Sequence, residues 1–404
     1  MQAARPRPIV LMLVYERYER DSRVRRHVRA LVAGGYDVRI VGVGGREAEA
    51  AALADGGRLR SLGAAKYRGG SRLAYVLAYA GFTFRALIEV ARMPGSQLAV
   101  VWVNAPPDVL VFAALPARLR RIPVVLDVHD ITSQLFEAKF GAASRLVARL
   151  IRLVETAAYR FASAIVTVHA PYRDQIQQRV PGKPVIDVLN VPDEQAWYEE
   201  GRARAARPIG RARTALRVGH HGTIAERFGV DLAVRGVAAL HAAGTPVRLS
   251  ILGDGDYAPA IEELIDSLDA RDVISFDRRT FLPDEIPAFV AGVDVGVAPY
   301  HESQFVDSIL PVKVLEYLAL GVPAIATSTS VLRAYLPADT VTYVSPASAE
   351  TVRDAIASLV DADRRAAFAR AGVEALAGLS WTEQRLRLLM TIDALIAGRK
   401  PGKP

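Results

Sequence analysis

Short apolar runs alternate along the chain with longer stretches in which apolar residues recur at helical spacing. Runs of this length are typical of strands buried on both faces, and the stretches between them predict crossover helices. The first half contains six predicted strands: 9–14, 37–43, 98–103, 124–128, 164–168 and 185–189. This alternation predicts a parallel sheet covered by helices.

The alternation stops between Glu200 and Arg217, where arginines and alanines follow one another without an acidic residue or an apolar period. It then restarts with six further predicted strands: 217–220, 247–252, 273–276, 293–298, 324–326 and 341–344. A chain of 404 residues is long enough for two such domains. We therefore predict a first α/β domain over 1–199, a linker over 200–216 and a second domain over 217–378. Ser380 is a plausible N-cap for a last helix within 379–404, which no strand follows.

Composition narrows the possible chemistry and location. The chain has no cysteine, which excludes disulfides, thiolate zinc sites and cysteine nucleophiles. The apolar run 9–14 passes at once into Tyr15 and Glu16, as expected of a first strand and not of a signal peptide. The longest membrane-like stretch, Leu73 to Phe84, has about a dozen residues, whereas a spanning helix needs roughly twenty. These features predict a cytoplasmic protein.

Positive charge is concentrated early in the chain. The formal net charge is +8, and the first thirty residues contain eight arginines and three acidic residues. Such a cluster suits a phosphorylated substrate, an anionic lipid surface or nucleic acid. The alternative is an arginine-rich bias on solvated helix faces, without a partner.

Two glycine-containing turns in the second domain are candidates for holding phosphate. Gly222 follows the domain's first strand, and Arg227 lies five residues further on, a spacing suited to a diphosphate. Gly253 and Gly255 follow the next strand in a G-x-G-x-x-A pattern that ends at Ala258. With Asp277 after the following strand, this pattern also fits a dinucleotide fingerprint, and a plain tight turn would explain it as well.

Further candidate residues lie at a helix start and a strand end. Lys313 and Glu316 share one face of a helix predicted to begin near Pro311, where a cation can hold phosphate and a carboxylate can accept from a ribose. An ordinary surface ion pair is the alternative. His129 ends the predicted strand 124–128, where open α/β sheets bind ligands. The adjacent His220 and His221 point to opposite faces of their strand, which argues against a metal site.

Several motifs occur together in the order and at the spacing of a known family. In the second domain these are 221–229, 253–255, 294–299 and 311–323. In the first domain they are 21–26, 127–130, 137–141 and 189–194. The chain resembles the family-4 glycosyltransferases of the GT-B fold, in particular a bacterial branch that makes surface polysaccharides.

The resemblance implies two Rossmann-like domains that face each other across a cleft, with the last helix crossing back to the first domain. It implies transfer from a UDP- or GDP-sugar with retention at the anomeric carbon and without a bound metal. Glu316 would bind the donor ribose, Lys313 and Arg227 the diphosphate, and His129 would approach the transferred sugar. The expected donor contacts are Gly222, Thr223, Gly253, Gly255, Ser308, Ile309 and Leu310.

The chain departs from the family pattern at three places. Ser308 stands where the first glutamate of the usual pair is expected. Thr223 and Phe228 replace an arginine and a lysine of the phosphate loop, which leaves Arg227 as the nearest cation. The usual glycine-rich first loop is replaced by residues 15–21, which contain no glycine.

Two other functions remain open at this level. One is a nicotinamide-dependent oxidoreductase that uses Gly253, Gly255, Ala258 and Asp277, and the other is a transferase-like binding module without turnover. The expected acceptor is a glycan, a glycolipid or a small glycoside, and no nucleic-acid partner is expected.

Membrane association through the first domain is also predicted. Basic residues flank the apolar stretch from Leu73 to Phe84, as in helices that lie in a membrane interface. A helix packed on the sheet by the stripe Leu73, Val76, Leu77 and Ala80 is the competing interpretation. The flanking basic residues are Lys66, Arg68, Arg72, Arg85 and Arg92.

Overall fold

The computed structural model describes residues 7–63, 72–140, 145–192, 195–206 and 215–398. It divides into two compact units, of which the first comprises the chain up to Asn190 together with the chain from Thr382. The second unit comprises Val191–Trp381. Lys66 and Arg68, which were predicted to flank an interfacial helix, lie outside the described residues.

The first unit is built on a seven-stranded sheet in the order β3-β2-β1-β4-β5-β6-β7, and all neighbouring strands are parallel. Its strands are β1 (Ile9–Arg17), β2 (Asp37–Val43), β3 (Arg58–Ser61), β4 (Leu98–Ala105), β5 (Val124–Val128), β6 (Ala164–Thr167) and β7 (Val185–Asp187). All six predicted strands are confirmed. The sequence missed β3, because a four-residue edge strand with two arginines carries little apolar signal.

Among the described residues of the first unit, seven helices connect these strands. They are α1 (Ser22–Ala33), α2 (Arg46–Ala54), α3 (Arg72–Arg92), α4 (Leu115–Leu119), α5 (Thr132–Phe140), α6 (Arg145–Phe161) and α7 (Ala170–Arg179). Asp21 begins α1 as an N-cap, accepting from the backbone N–H of Val24 at 3.0 Å. A short 3-10 helix, Asp108–Ala114, precedes α4.

The second unit contains a six-stranded parallel sheet in the order β10-β9-β8-β11-β12-β13. Its strands are β8 (Leu216–His221), β9 (Val247–Gly253), β10 (Ile274–Arg278), β11 (Val295–Ala298), β12 (Ala324–Thr327) and β13 (Val341–Val344). Its helices are α8 (Gln195–Ala206), α9 (Val230–Ala242), α10 (Ala258–Ser267), α11 (Ile286–Ala291), α12 (Gln304–Asp307), α13 (Val312–Ala319), α14 (Ser330–Tyr335), α15 (Ala349–Ser358) and α16 (Ala362–Ala377).

The strand order of the second unit reverses beside β8. From β8 the chain moves outward to β9 and β10, and it then returns to place β11 on the other side of β8. At such a switch point the loops after two neighbouring strands turn in opposite directions and leave a crevice at the carboxyl edge. The loops after β8 and β11 therefore lie at the position where doubly wound sheets bind ligands.

The predicted linker, 200–216, differs from the structure in its first residues. Gly201 lies inside α8, and this helix crosses the end of α13 in backbone contact. A methyl group on Gly201 would lie 2.0 Å from the carbonyl oxygen of Ala319. Arginine and alanine are good helix formers, so the composition of this stretch is compatible with a helix. The contact of Gly201 with Gly321 fixes the position of that helix, and these two residues are far apart in sequence. Residues 207–214 lie outside the described residues.

The last helix, α17 (Trp381–Ala397), lies almost entirely in the first unit. The side-chain oxygen of Gln384 accepts from the backbone N–H of Leu189 at 3.1 Å. Tyr36 donates its hydroxyl to Asp393. These contacts connect α17 with the end of the first unit's sheet and with the loop that follows α1.

The crossing of α8 over α13 predicts a strong effect of one added methyl group. Gly201→Ala should lower the free energy of unfolding by about 1–3 kcal/mol, because the backbone of Ala319 cannot move away without shifting α13. Gly81→Ala is the matched control, since Gly81 also lies within a helix and has open space around its Cα. It should be neutral or stabilising by up to about 1 kcal/mol. Urea unfolding measures both variants, and equal effects would contradict the crossing.

Candidate functional site

Two loops at the carboxyl edge of the second sheet pack backbone against backbone. Gly222, after β8, and Gly253, at the end of β9, have φ angles of +114° and +157°. A methyl group on Gly253 would lie 1.9 Å from the carbonyl oxygen of Gly222, and one on Gly255 would lie 2.1 Å from that of Ile224. Glycine is therefore required for this packing at Gly253 and Gly255, whether or not a ligand is bound.

Gly222 has a second neighbour, the ammonium group of Lys313. A methyl group on Gly222 would lie 3.4 Å from Lys313 Nζ. Lys313 lies in the first turn of α13, and its side chain is buried. The structure thus brings the backbone of the first loop and the predicted phosphate-binding cation together, although they are far apart in sequence.

A histidine that the sequence had considered only for metal binding holds the lysine. His220 Nδ1 lies 3.0 Å from the carbonyl oxygen of Val297, so this nitrogen carries the hydrogen. His220 Nε2 is then an acceptor, 3.1 Å from Lys313 Nζ. Burial lowers the pKa of Lys313 to about 7, and the charge of Glu316 opposes this shift. Burial and Lys313 also lower the pKa of His220 well below its usual value, so His220 is neutral.

Aromatic rings surround the two cations. Lys313 Nζ lies 5.4 Å from the ring centres of Phe228 and Tyr300. The guanidinium of Arg227 lies 4.6 Å from the ring centre of Phe228. Phe228, which replaces a family lysine, thus gives both remaining cations a ring face, an arrangement that favours positive charge. The Nε of Arg227 is buried and has no hydrogen-bond partner among the described residues.

The predicted ribose-binding carboxylate lies one turn after the lysine. Glu316 is buried, and its Oε2 lies 3.6 Å from His221 Nε2. The ring of His221 packs edge-on against Tyr317, with 4.9 Å between ring centres. Burial, reinforced by Lys313, lowers the pKa of His221 to about 3. His220 and His221 thus each contact one of the candidate side chains of α13.

The remaining predicted donor contacts are more exposed. Thr223 is exposed, and Ile309 and Leu310 are half-buried in the segment before α13. The hydroxyl of Ser308 donates to the carbonyl oxygen of Phe305 at 2.7 Å and so closes the last turn of α12. In the described residues no group of three or more histidine, aspartate or glutamate side chains is arranged to hold a metal ion.

His129 belongs to the first unit and follows β5. Its Nε2 lies 3.3 Å from Asp127 Oδ2, and a fifth of its side chain is exposed. Burial alone would lower the pKa of His129, but the charge and hydrogen bond of Asp127 outweigh burial and raise it. Burial alone would raise the pKa of Asp127, whereas Arg23 and the two nearby histidines hold it well below the usual value. His129 is therefore the exposed end of a buried charged cluster.

Three of the eight early arginines, Arg23, Arg25 and Arg26, are buried inside the protein. Arg23 donates to Asp127 at 2.7 Å and to the carbonyl oxygen of Val188 at 2.7 Å. Arg25 donates to Asp55 at 2.9 Å. These arginines are buried, so the idea of an exposed basic cluster for an anionic partner is wrong for this part of α1. The sequence could not show this, because the acidic partners lie on distant elements.

Several solved structures share this architecture over nearly the whole chain. Sucrose-phosphate synthase from Thermosynechococcus elongatus has a TM-score of 0.73 at 17% identity, and the alignment covers 97% of this chain and 100% of that chain. Anabaena Alr3699/HepE, solved with UDP and glucose, has a TM-score of 0.70 at 14% identity, with 96% and 100% covered. At these identities the likeness shows the fold, which is GT-B.

Sequence comparisons identify the family. A model for a glycosyl transferase 4-like domain matches residues 21–192, and a model for glycosyl transferases group 1 matches residues 215–362. The chain belongs to this glycosyltransferase family, as the motifs indicated. A GDP-mannose-dependent alpha-(1-6)-phosphatidylinositol dimannoside mannosyltransferase of Mycobacterium tuberculosis is 25% identical over 215 residues, which are 52% of each protein. The match thus spans about half the length of that relative.

Family membership replaces the oxidoreductase interpretation of the second turn. The acid required by that interpretation, Asp277, is exposed and pairs with Arg279 at 2.8 Å. The turn follows β9, whereas the dinucleotide fingerprint belongs after the first strand of a domain. The G-x-G turn instead supports the loop of Gly222.

The burial of a neutral His221 predicts a pH-dependent stability. The unfolded chain binds a proton at this histidine near pH 6.5, and the folded protein does so only near pH 3. Since the unfolded state binds more protons between these values, stability falls as pH falls, by about 1.4 kcal/mol per pH unit.

His221→Phe replaces the imidazole by a ring that suits the aromatic neighbours. It should lower the slope of the unfolding free energy against pH by about 1.4 kcal/mol per pH unit between pH 6.5 and pH 4. The control is His241→Phe at an exposed histidine, which should keep the slope of the wild type. Urea unfolding at a series of pH values measures both. An unchanged slope in His221→Phe would contradict the burial of a neutral ring.

Proposed function

We propose that the protein transfers a sugar from a nucleoside diphosphate sugar to a hydroxyl acceptor, with retention of configuration at the anomeric carbon. One observation carries the proposal: a buried ammonium, a buried carboxylate and the backbone of a glycine loop meet at the switch point of the second sheet. A departing nucleoside diphosphate needs the ammonium and the backbone N–H groups, because negative charge develops on its phosphate as the sugar leaves. The carboxylate suits the hydroxyls of the ribose.

Lys313 and Arg227 are the cations proposed to stabilise the leaving diphosphate. Lys313 lies in the first turn of α13, so the partial positive charge of the helix N-terminus adds to the charge of the lysine. Burial lowers the pKa of Lys313 to about 7, and the negative charge of an arriving diphosphate would favour the protonated lysine. His220 Nε2 accepts one of its hydrogens and fixes its position. Arg227 brings a buried Nε donor, and its guanidinium lies 4.6 Å from the ring centre of Phe228. The charge of the leaving diphosphate is thus neutralised by these two side chains.

Glu316 is proposed to accept hydrogen bonds from the ribose hydroxyls. It lies one helical turn after Lys313, so a nucleotide whose diphosphate contacts the lysine brings its ribose toward this carboxylate. The adjacent neutral His221 adds no charge that would compensate Glu316. Gly222 leaves room for the diphosphate beside Lys313, because glycine has no side chain.

His129 is proposed to contact the transferred sugar from the first unit. Its Nε2 is turned to Asp127, so Nδ1 is the ring nitrogen that a sugar hydroxyl would meet. Since Asp127 raises the pKa of His129, the ring is a hydrogen-bond donor over more of the neutral pH range. Arg23 and His27 fix Asp127, which makes the orientation of His129 a property of the folded unit.

The donor is proposed to be a UDP- or GDP-sugar and the acceptor a glycan or a lipid-linked glycan in bacterial surface-polysaccharide synthesis. GDP-mannose and a phosphatidylinositol mannoside appear in the name of the mycobacterial relative, and UDP occupies the HepE structure. Ser308, in place of the first family glutamate, uses its hydroxyl within the chain, so backbone groups of the segment from Ser308 to Leu310 are left to hold the donor sugar.

Removal of the two α13 side chains tests the donor site. Lys313→Ala and Glu316→Gln should each lower kcat/KM for transfer by at least roughly tenfold, because each removes a charge-assisted hydrogen bond worth about 1.5–3 kcal/mol. The control is Glu263→Gln, an exposed carboxylate on α10 that should keep the wild-type rate. Donor sugars are first chosen by thermal shift, and the anomeric configuration of the product is read by NMR.

Wild-type rates in both α13 variants would overturn the placement of the donor site. An inverted product would overturn retention alone. Donor binding without turnover on glycan or lipid-linked acceptors would favour the alternative of a binding module.

A substitution in the first unit tests the sugar-contact role separately. His129→Gln should lower kcat for transfer by about 10²-fold or more while the affinity for UDP or GDP stays within about twofold, because His129 is proposed to touch the sugar and not the nucleotide. Calorimetric titration of the nucleotide and initial rates of transfer measure the two quantities. Equal loss of nucleotide affinity and transfer would contradict the separation of roles.

A further inference from the structure

One side of the first unit exposes large apolar side chains on three helices. Leu150 and Leu153 of α6 are 60% and 63% exposed, and Leu119 of α4 is 77% exposed. We call the outer surfaces of α3, α4 and α6 the basic apolar face. Its exposed apolar residues are Leu77, Phe84, Leu115, Leu119, Val147, Leu150 and Leu153.

The three helices lie on the same side of the sheet. Their inner side chains, such as Phe82 of α3, Ala117 of α4 and Ala158 of α6, belong to one hydrophobic core. Arg120 joins the ends of α4 and α3 by donating to the carbonyl oxygens of Met93 and Ala91 at 2.8 and 2.7 Å. The ends of α3 and α4 therefore adjoin each other, and the guanidinium of Arg118 in α4 lies 5.8 Å from the ring centre of Phe161 at the end of α6.

Charge on this face is almost entirely positive. The sequences of α3, α4 and α6 contain only two acidic residues, Glu89 and Glu155, and both are buried. Glu89 pairs with Arg60 at 2.6 Å, and Glu155 pairs with Arg179 at 2.8 Å. The exposed basic residues on or directly after the three helices are Arg85, Arg92, Arg118, Arg120, Arg121, Arg149, Arg152 and Arg160.

The structure moves the centre of this surface away from the stretch that the sequence singled out. In α3, Phe82 turns into the core and Tyr79 packs edge-on against Tyr15 at 5.0 Å, while Leu77 and Phe84 stay exposed. The side chains of Arg72, Leu73 and Val76 lie outside the described residues, so the predicted α3 stripe is seen only in part.

Helix α6 presents the clearer stripe. Val147, Leu150 and Leu153 follow one another at three-residue intervals along its exposed side. Arg149 and Arg152 flank them, and Arg152 also pairs with Glu137 at 3.2 Å. An exposed apolar stripe bordered by arginines is the arrangement of a helix that lies at a membrane surface.

We propose that the basic apolar face docks on an anionic membrane surface, with Leu150 and Leu153 of α6 inserted below the headgroups and the arginines at the lipid phosphates. Among the residues that the structure describes, no helix has both the length and the apolar character to cross a bilayer, so the contact is interfacial. A second copy is a poorer occupant, because a two-fold contact would bring the same arginines together. The link to a lipid-linked acceptor rests on the proposed function, whereas docking itself does not.

Flotation of the full chain with vesicles tests the proposal without any turnover. The chain should float with phosphatidylcholine vesicles that contain phosphatidylglycerol, far less with phosphatidylcholine alone, and less as salt is raised. The double variant Leu150→Asp/Leu153→Asp should lower the partition coefficient by at least roughly tenfold. Arg149→Glu/Arg152→Glu should lower it by a similar factor on anionic vesicles only.

Two single variants serve as controls. Leu53→Asp changes a leucine that is 71% exposed on α2. The right-handed connection from β2 through α2 to β3 places α2 on the side of the sheet opposite to α3, α4 and α6. Arg370→Glu reverses an exposed charge on α16 of the second unit. Both should float like the wild type, and all variants should bind UDP or GDP with wild-type affinity.

Flotation that is unchanged in both α6 variants, or no flotation with anionic vesicles at low salt, would overturn the docking surface. A dimer that light scattering detects without vesicles, and that Leu150→Asp/Leu153→Asp dissociates, would identify a second copy as the occupant and overturn it as well. A full chain that floats with anionic vesicles but transfers no sugar would count against the proposed function alone.

Discussion

The hydrogen bond between Lys313 and His220 is the contact on which the candidate site depends. It holds the buried amine of Lys313, whose pKa falls to about 7. Because a protonated imidazole has no free lone pair, His220 can accept the hydrogen of Lys313 only in its neutral form. The carbonyl oxygen of Val297 fixes the tautomer of His220, so β11 contributes to the position of a side chain on α13. Two neighbouring strands and a helix are thereby linked at the switch point of the second sheet.

The departures from the family pattern become understandable around this contact. Phe228 takes the place of a lysine and contributes a ring face near both Lys313 and Arg227. The buried Lys313 is desolvated, so its charge would interact more strongly with an anion than the charge of an exposed lysine. The exposed Thr223 supplies no such charge. Ser308 donates its hydroxyl to the carbonyl oxygen of Phe305 in the preceding helix.

The first unit also contains a buried charged side chain, here the carboxylate of Asp127. Asp127 is fully buried and keeps its charge because Arg23, His27 and His129 surround it. Of these partners only His129 reaches the surface in part, so the cluster presents a histidine whose orientation and protonation are fixed from within. Arg23, Arg25 and Arg26 of α1 therefore serve the interior of the unit, whereas α3, α4 and α6 carry exposed arginines.

The sequence by itself determined the α/β class, the two-domain organisation, twelve of the strands and the family, because these depend on local apolar periods and on motifs of contiguous residues. It also named Lys313, Glu316, Gly222 and His129 as functional candidates. Only the tertiary structure decided that His220 holds Lys313, that Arg23 is buried on Asp127, and that α6 exposes Leu150 and Leu153. It also showed α8 as a helix against α13. Each of these results depends on which distant residues meet, since burial, pairing and pKa are properties of neighbours in space.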